Sequence, residues 1–112
     1  MEITFAQHDQ VVVVSIQGSI DSLNADRLTE AFTVHLAGGA VRLVADFGGV
    51  HYTSSAGLRS LLSTVKDSRR KGGDLRIAAV QPEVERVLSL SGFTSIIKTF
   101  PSVTLAVASY TA

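Results

Sequence analysis

The hydrophobic pattern of this 112-residue chain changes period near residue 24 and then alternates, which restricts its fold more than any other feature. Before that point, Ile3, Phe5 and Val11 to Val14 place β-branched and aromatic residues on both sides of a short polar break, Gln7–Gln10. Such a pattern predicts a β-hairpin, with its second strand ending near Gly18. Ser19 to Ser22 then reads as a loop in which Asp21 or Ser22 can cap a following helix. From Asn24 to Leu36 the spacing becomes helical, with Leu28, Ala31, Phe32, His35 and Leu36 on one side and Asp26, Arg27 and Glu30 elsewhere on the wheel.

Glycine pairs punctuate the rest of the chain. Gly38-Gly39 ends the first helix, and Val41–Asp46 is a short apolar run suited to a central strand covered on both faces. Gly48-Gly49 is expected to open a loop reaching Ser54 or Ser55. A second helix follows, with Leu58, Leu61, Leu62 and Val65 as its buried stripe. Gly72-Gly73 stops it, and Asp74–Val80 is the next strand. Pro82 suits the first turn of a third helix carrying Val84, Val87 and Leu88 inward, closed by Ser91-Gly92. Ile96–Phe100 predicts a last strand, and Val103–Ala108 a short docked helix. The order β-β-α-β-α-β-α-β-α predicts an α/β fold: an N-terminal hairpin, then right-handed crossovers building a mixed, mostly parallel sheet with about four helices. The length suits a single domain spanning 1–112.

Composition removes several function classes. Ten basic and ten acidic residues give zero formal net charge, without the basic surplus of a nucleic-acid binder. The basic run Arg69-Arg70-Lys71 falls at a helix end, where cations complement the helix dipole and sit in solvent. The chain has no cysteine, so disulfides, thiolate metal sites and cysteine nucleophiles are excluded. His8, His35 and His51 are too scattered to form a metal site by spacing, and His35 reads as packed. Met1–Thr4 does not read as a signal peptide, and no apolar run reaches the roughly 20 residues of a membrane helix. The expected location is the cytoplasm, with no membrane insertion. There is neither a Walker pattern nor a dinucleotide glycine fingerprint, and no cofactor is expected.

In an open α/β sheet, function gathers where strands end and helices begin. Asp46–Arg59 is such a junction. A hydroxyl residue there starts a helix, beside backbone N–H groups that lack intrahelical partners. That end favours an anion, by roughly 0.3–2 kcal/mol for charge near the dipole. The small residues Ala56 and Gly57 are expected to leave the first turn open. Arg59, one turn beyond Ser55, opposes the dipole unless a phosphate on Ser55 gives it a partner. Plain capping by Ser54 or Ser55, worth about 1 kcal/mol, explains the serines equally well on spacing alone. Thr53–Gly57 has the strand–serine–helix order of a nucleophile elbow but lacks its first glycine, so no catalytic residue is expected.

Val50-His51-Tyr52-Thr53-Ser54-Ser55-Ala56-Gly57-Leu58-Arg59 resembles the signature of STAS domains, in particular of bacterial anti-sigma factor antagonists. Val14–Asp21, Leu43–Phe47, Gly72–Leu75 and Val87–Phe93 resemble other family segments in the same order, so the likeness covers nearly the whole chain. The resemblance implies a non-enzymatic binding module whose serine at position 55 is phosphorylated by a partner. That partner is a serine kinase of the GHKL ATPase type, which is also the anti-sigma factor. Unphosphorylated antagonist binds it and frees the sigma factor; a PP2C-type phosphatase restores that form. The resemblance further implies that Asp21, Thr53, Ser54, Ala56, Gly57 and Arg59 contact the partner. Ser54 stands where many members carry aspartate and Ala56 where many carry serine or threonine, which leaves Ser54 as the second candidate for modification. A STAS adaptor subunit of a transporter or signalling complex is the other reading.

Overall fold

Four consecutive valines, Val11 to Val14, are between 0% and 4% exposed. A strand with no exposed side needs neighbours on both edges and layers on both faces, and the computed structural model, which describes residues 1–111, supplies all four. Strand β1 (Glu2–His8) pairs antiparallel with β2 (Val11–Gln17) across a two-residue turn at Asp9-Gln10. β2 pairs parallel with β3 (Arg42–Gly49), β3 with β4 (Asp74–Ala78), and β4 with β5 (Thr99–Phe100). The five strands lie in sequence order, with the predicted hairpin at one edge and parallel pairing beyond it.

The even positions Val12, Val14 and Ile16 face the main core. Helices α1 (Ala25–Ala37), α2 (Ser55–Arg70) and α3 (Pro82–Leu90) close that side, contributing Leu28, Phe32, Leu61, Val65, Val84 and Leu88. Each such side chain taken from water contributes about 1.5–3 kcal/mol. Val11, Val13, Val44 and Ala78 face the other way, against Ala106 of the short helix α4 (Val103–Ala108).

Four local expectations change. Gly48 and Gly49 do not open a loop; they continue β3, and Gly49 pairs with Gln17 where the β2–β3 register shifts. A Cβ on Gly49 would lie 2.8 Å from the Gln17 Cγ, so glycine permits strand contact there. Val87 is exposed on α3, because only Val84 and Leu88 point at the sheet and Val87 lies about 80° around the wheel from their midpoint. On α2 the buried face is turned toward small hydroxyl residues: Ser60, Thr64 and Ser68 are buried, while Leu58 and Leu62 are only partly covered. The Thr29 hydroxyl donates to Ser60 Oγ at 2.7 Å, joining α1 to α2. The predicted strand 96–100 shrinks to Thr99–Phe100, because a 3-10 turn at Phe93–Ser95 precedes Ile96 and carries Ile97 into the core.

The basic run is also more than a solvated helix end. Arg69 donates to Asp74 Oδ1 at 2.9 Å and to the Ile96 carbonyl at 2.6 Å, tying α2 to β4 and the following turn. Asp74 also accepts from Arg76, whose guanidinium lies 3.9 Å from the centroid of the Tyr110 ring. The Tyr110 hydroxyl is 2.7 Å from the Leu43 carbonyl oxygen and 2.8 Å from that of Asp74. This cluster anchors the chain after α4 to the starts of β3 and β4.

Candidate functional site

At the opposite ends of the strands, two loops are zipped together. Ile20 N–H donates to the Tyr52 carbonyl at 3.0 Å, and Ser54 N–H donates to the Ile20 carbonyl at 2.8 Å. Ile20 and Thr53 form an isolated parallel bridge. The loop carrying Asp21 is therefore fixed beside the segment that starts α2, which brings Asp21 to the same end of the sheet as Ser54 and Ser55.

The two serines have different environments. Ser54 is the N-cap of α2, in extended backbone, and its Oγ accepts from Gly57 N–H at 3.3 Å. Ser55 is the first helical residue; it is exposed, and its hydroxyl has no hydrogen-bond partner among the described residues. The first turn of α2 carries no acidic side chain, so nothing on the helix itself offsets the positive end of its dipole. Arg59 is exposed one turn further on, and no carboxylate pairs with it among the described residues.

Thr53 and Gly57, expected to touch a partner, are instead buried. A Cβ on Gly57 would lie 2.2 Å from Thr53 Oγ1 and 2.8 Å from Ile20 Cγ2. The absent side chain at Gly57 thus makes room on the inside, for Thr53 and Ile20, rather than opening the surface. Ala56 is half-buried and packs against the core. Asp21 Oδ1 accepts from the N–H groups of Leu23 and Asn24, each at 2.9 Å, while Asn24 Oδ1 accepts from Asp21 N–H at 2.8 Å. This reciprocal pair shapes the turn into α1, as an aspartate in such a loop commonly does.

Two exposed apolar residues escaped the sequence reading. Leu23 is 92% exposed and Tyr52 is 55% exposed, in the two zipped loops. Apolar periodicity cannot find them, since each stands in a loop without a period. A third tie also emerges: Gln81 Nε2 donates to the Gly48 carbonyl at 2.7 Å, and His51 Nδ1 lies 3.0 Å from Glu83 Oε1. The His51 hydrogen bond holds the Glu83 carboxyl below its usual pKa, assisted by Glu83's own backbone N–H. These contacts link the start of α3 to the segment leading into Ser55.

Among the described residues no group of three or more potential ligands could hold a metal ion, and no helix is long and apolar enough to cross a membrane.

The family model for the STAS domain matches residues 2–106. This chain belongs to the STAS domain family. Over 96 residues it is 35% identical to a Bordetella bronchiseptica protein assigned by name as the anti-sigma factor antagonist BtrV, covering 86% of this chain and 83% of that one. It is also similar to the crystal structure of an anti-sigma factor antagonist from Mycobacterium paratuberculosis, at 28% identity and a TM-score of 0.88, covering 96% of this chain and 92% of the other. A sulfate transporter family protein from Wolinella succinogenes shares the STAS fold at 19% identity, with a TM-score of 0.79 over 92% of this chain and 86% of that one.

Proposed function

We propose that this STAS protein is an anti-sigma factor antagonist switched by phosphorylation of Ser55. The carrying observation is the inequality of the two serines. The Ser54 hydroxyl oxygen is occupied as the helix cap, whereas the Ser55 hydroxyl is exposed and has no partner among the described residues. The names of its relatives support the antagonist role.

In the proposed reaction a GHKL-type serine kinase, which is also the anti-sigma factor, presents ATP to the Ser55 end of α2. The Ser55 Oγ attacks the γ-phosphorus, the Oγ–P bond forms as the bond to ADP breaks, and the hydroxyl proton passes to a base on the kinase. Phosphorylation places roughly −1.5 to −2 charge at a helix N-terminus and within reach of Arg59. The antagonist's fold tolerates that charge, but a docked acidic or apolar partner surface does not, so the complex separates. A PP2C-type phosphatase hydrolyses the phosphoester and restores binding. Asp21, Leu23, Tyr52, Ser54, Ala56 and Arg59 form the surrounding contact surface, with Thr53 and Gly57 shaping it from beneath.

Intact mass after incubation with the cognate kinase and ATP tests the assignment. Wild type and Ser54→Ala gain one phosphate, and Ser55→Ala gains none. Phosphate retained in Ser55→Ala would move the site to another residue. Absence of any gain in wild type would favour a STAS adaptor role.

A further inference from the structure

The sheet has two edges that are finished differently. β5 is two residues long and is followed at once by Pro101, which leaves little backbone to pair. β1 is seven residues long and pairs with β2 without interruption from Glu2↔Gln17 to His8↔Val11. Its other side is free among the described residues. It contains no proline, lysine or bulge, features that ordinarily blunt a free edge, and its formally charged residue, Glu2, stands at its first position.

The hairpin determines which backbone groups point outward. Residues flanking a two-residue turn exchange both of their hydrogen bonds, and paired and unpaired positions then alternate along the strand. His8, Ala6, Thr4 and Glu2 therefore bond to β2. Ile3, Phe5 and Gln7 direct their N–H and C=O groups to the free edge.

We infer that β1 is a self-association edge, which pairs antiparallel with β1 of a second copy of this chain about a two-fold axis at Phe5. This register pairs every residue of the strand: Phe5 with Phe5, Thr4 with Ala6, Ile3 with Gln7, and Glu2 with His8. Each outward donor meets an outward acceptor. Registers centred on Thr4 or Ala6 leave part of the strand unpaired and separate Glu2 from His8.

The side chains agree with this register on both faces. On the face away from the main helices, the Glu2 carboxylate of each copy lies opposite the His8 imidazole of the other. These are the more closely spaced pairs of the new ladder, and an imidazole N–H can donate to a carboxylate. On the helix side, Phe5 is 48% exposed, with its ring stacked at 4.3 Å on His35 of α1. Beside it runs a groove of about 360 Å³ lined by Ile3, Phe5, Ala31 and the 61%-exposed Val34 together with Arg27 and Glu30. A two-fold at Phe5 brings the two grooves together and covers these residues. The surface lies on the edge strand rather than at the Ser55 loops, so self-association and partner binding are separable.

Sedimentation equilibrium of the full chain from micromolar to near-millimolar concentration tests the inference, with circular dichroism verifying the fold of each variant. Wild type is expected to dimerise reversibly. His8→Glu alone places two carboxylates opposite one another twice per dimer, and Glu2→Lys alone removes the acceptor of the imidazole N–H; each weakens association by about 3- to 30-fold. The double variant E2K/H8E restores it. Because the chain lacks cysteine, Phe5→Cys provides a single thiol that a short bismaleimide should cross-link into a covalent dimer, whereas Leu105→Cys on α4 should not cross-link. A wild-type monomer throughout, a dimer indifferent to the single swaps, or a double swap that restores nothing would overturn the inference.

Discussion

Helix α2 has two very different ends. At its C-terminal end several charges are paired: Arg69 and Arg76 share Asp74, Arg70 reaches Asp67 at 3.5 Å, and Arg76 stacks on Tyr110. At its N-terminal end one hydroxyl caps the helix, the next is exposed, and no carboxylate pairs with Arg59 among the described residues. The chain is neutral overall, so the difference is one of placement. At one end Arg69 pairs with the largely buried Asp74 and fixes the helix to the sheet. At the other, the positive end of the helix dipole meets no acidic side chain in the first turn of the helix. The same helix is thus anchored at one end and chemically available at the other.

Mutations should separate the two ends. The largest effect is expected from Asp74→Ala, whose side chain is 10% exposed and which leaves two arginines without their partner. A loss of about 3 kcal/mol in urea unfolding is expected, with phosphate uptake at Ser55 in the residual folded protein unchanged. A loss below about 1 kcal/mol would show that solvent replaces the carboxylate easily. Within the same cluster, burial and the nearby Asp74 charge push the Tyr110 phenol above its usual pKa. The unfolded chain ionises near pH 10, whereas the folded chain holds this proton to higher pH, so stability is intact below about pH 10 and falls as pH rises further. An absorbance titration of Tyr52→Phe, which leaves Tyr110 as the remaining tyrosine, should show delayed ionisation that coincides with unfolding.

At the open end, Gly57→Ala should cost about 1–3 kcal/mol through its clash with Thr53 and Ile20. Adding Thr53→Ala should recover part of that loss. If the double variant is no better than the single, Ile20 or the backbone carries the clash. Smaller again is Ser54→Ala, expected to cost about 1 kcal/mol as a lost cap. Ser55→Ala, by contrast, should alter stability by less than about 0.5 kcal/mol. Chemical denaturation of the two variants therefore ranks the serines without any kinase. Equal losses would mean that both oxygens serve the helix, and the distinction between cap and acceptor would fail.

Much of the architecture was legible because burial in an α/β fold leaves a periodic trace. The helical spacing of Leu28, Phe32 and Leu36 and the hairpin runs at β1 and β2 each correspond to an element in the structure. Expectations failed where a single contact outweighed the pattern. Gly48-Gly49 looked like a loop opening, but close approach to Gln17 requires glycine inside β3. Val87 fitted the apolar stripe, yet α3 meets the sheet along too narrow a line to cover it. Arg69 resembled a solvated charge because its partner Asp74 lies across a turn in another element.

The site divides in the same way. The sequence alone determined that a serine pair begins a helix after a central strand, since capping residues and apolar spacing are local properties. It also identified Asp21 and Arg59 as neighbours worth testing. Only the tertiary structure decided which serine serves as the cap, that Thr53 and Gly57 work from inside, and that Leu23 and Tyr52 stand exposed in the two joined loops. Those facts depend on how the β2–α1 and β3–α2 loops hydrogen-bond to each other. Contacts between residues some thirty positions apart leave no periodic signal along the chain, so they emerge only when the sheet brings the loops together.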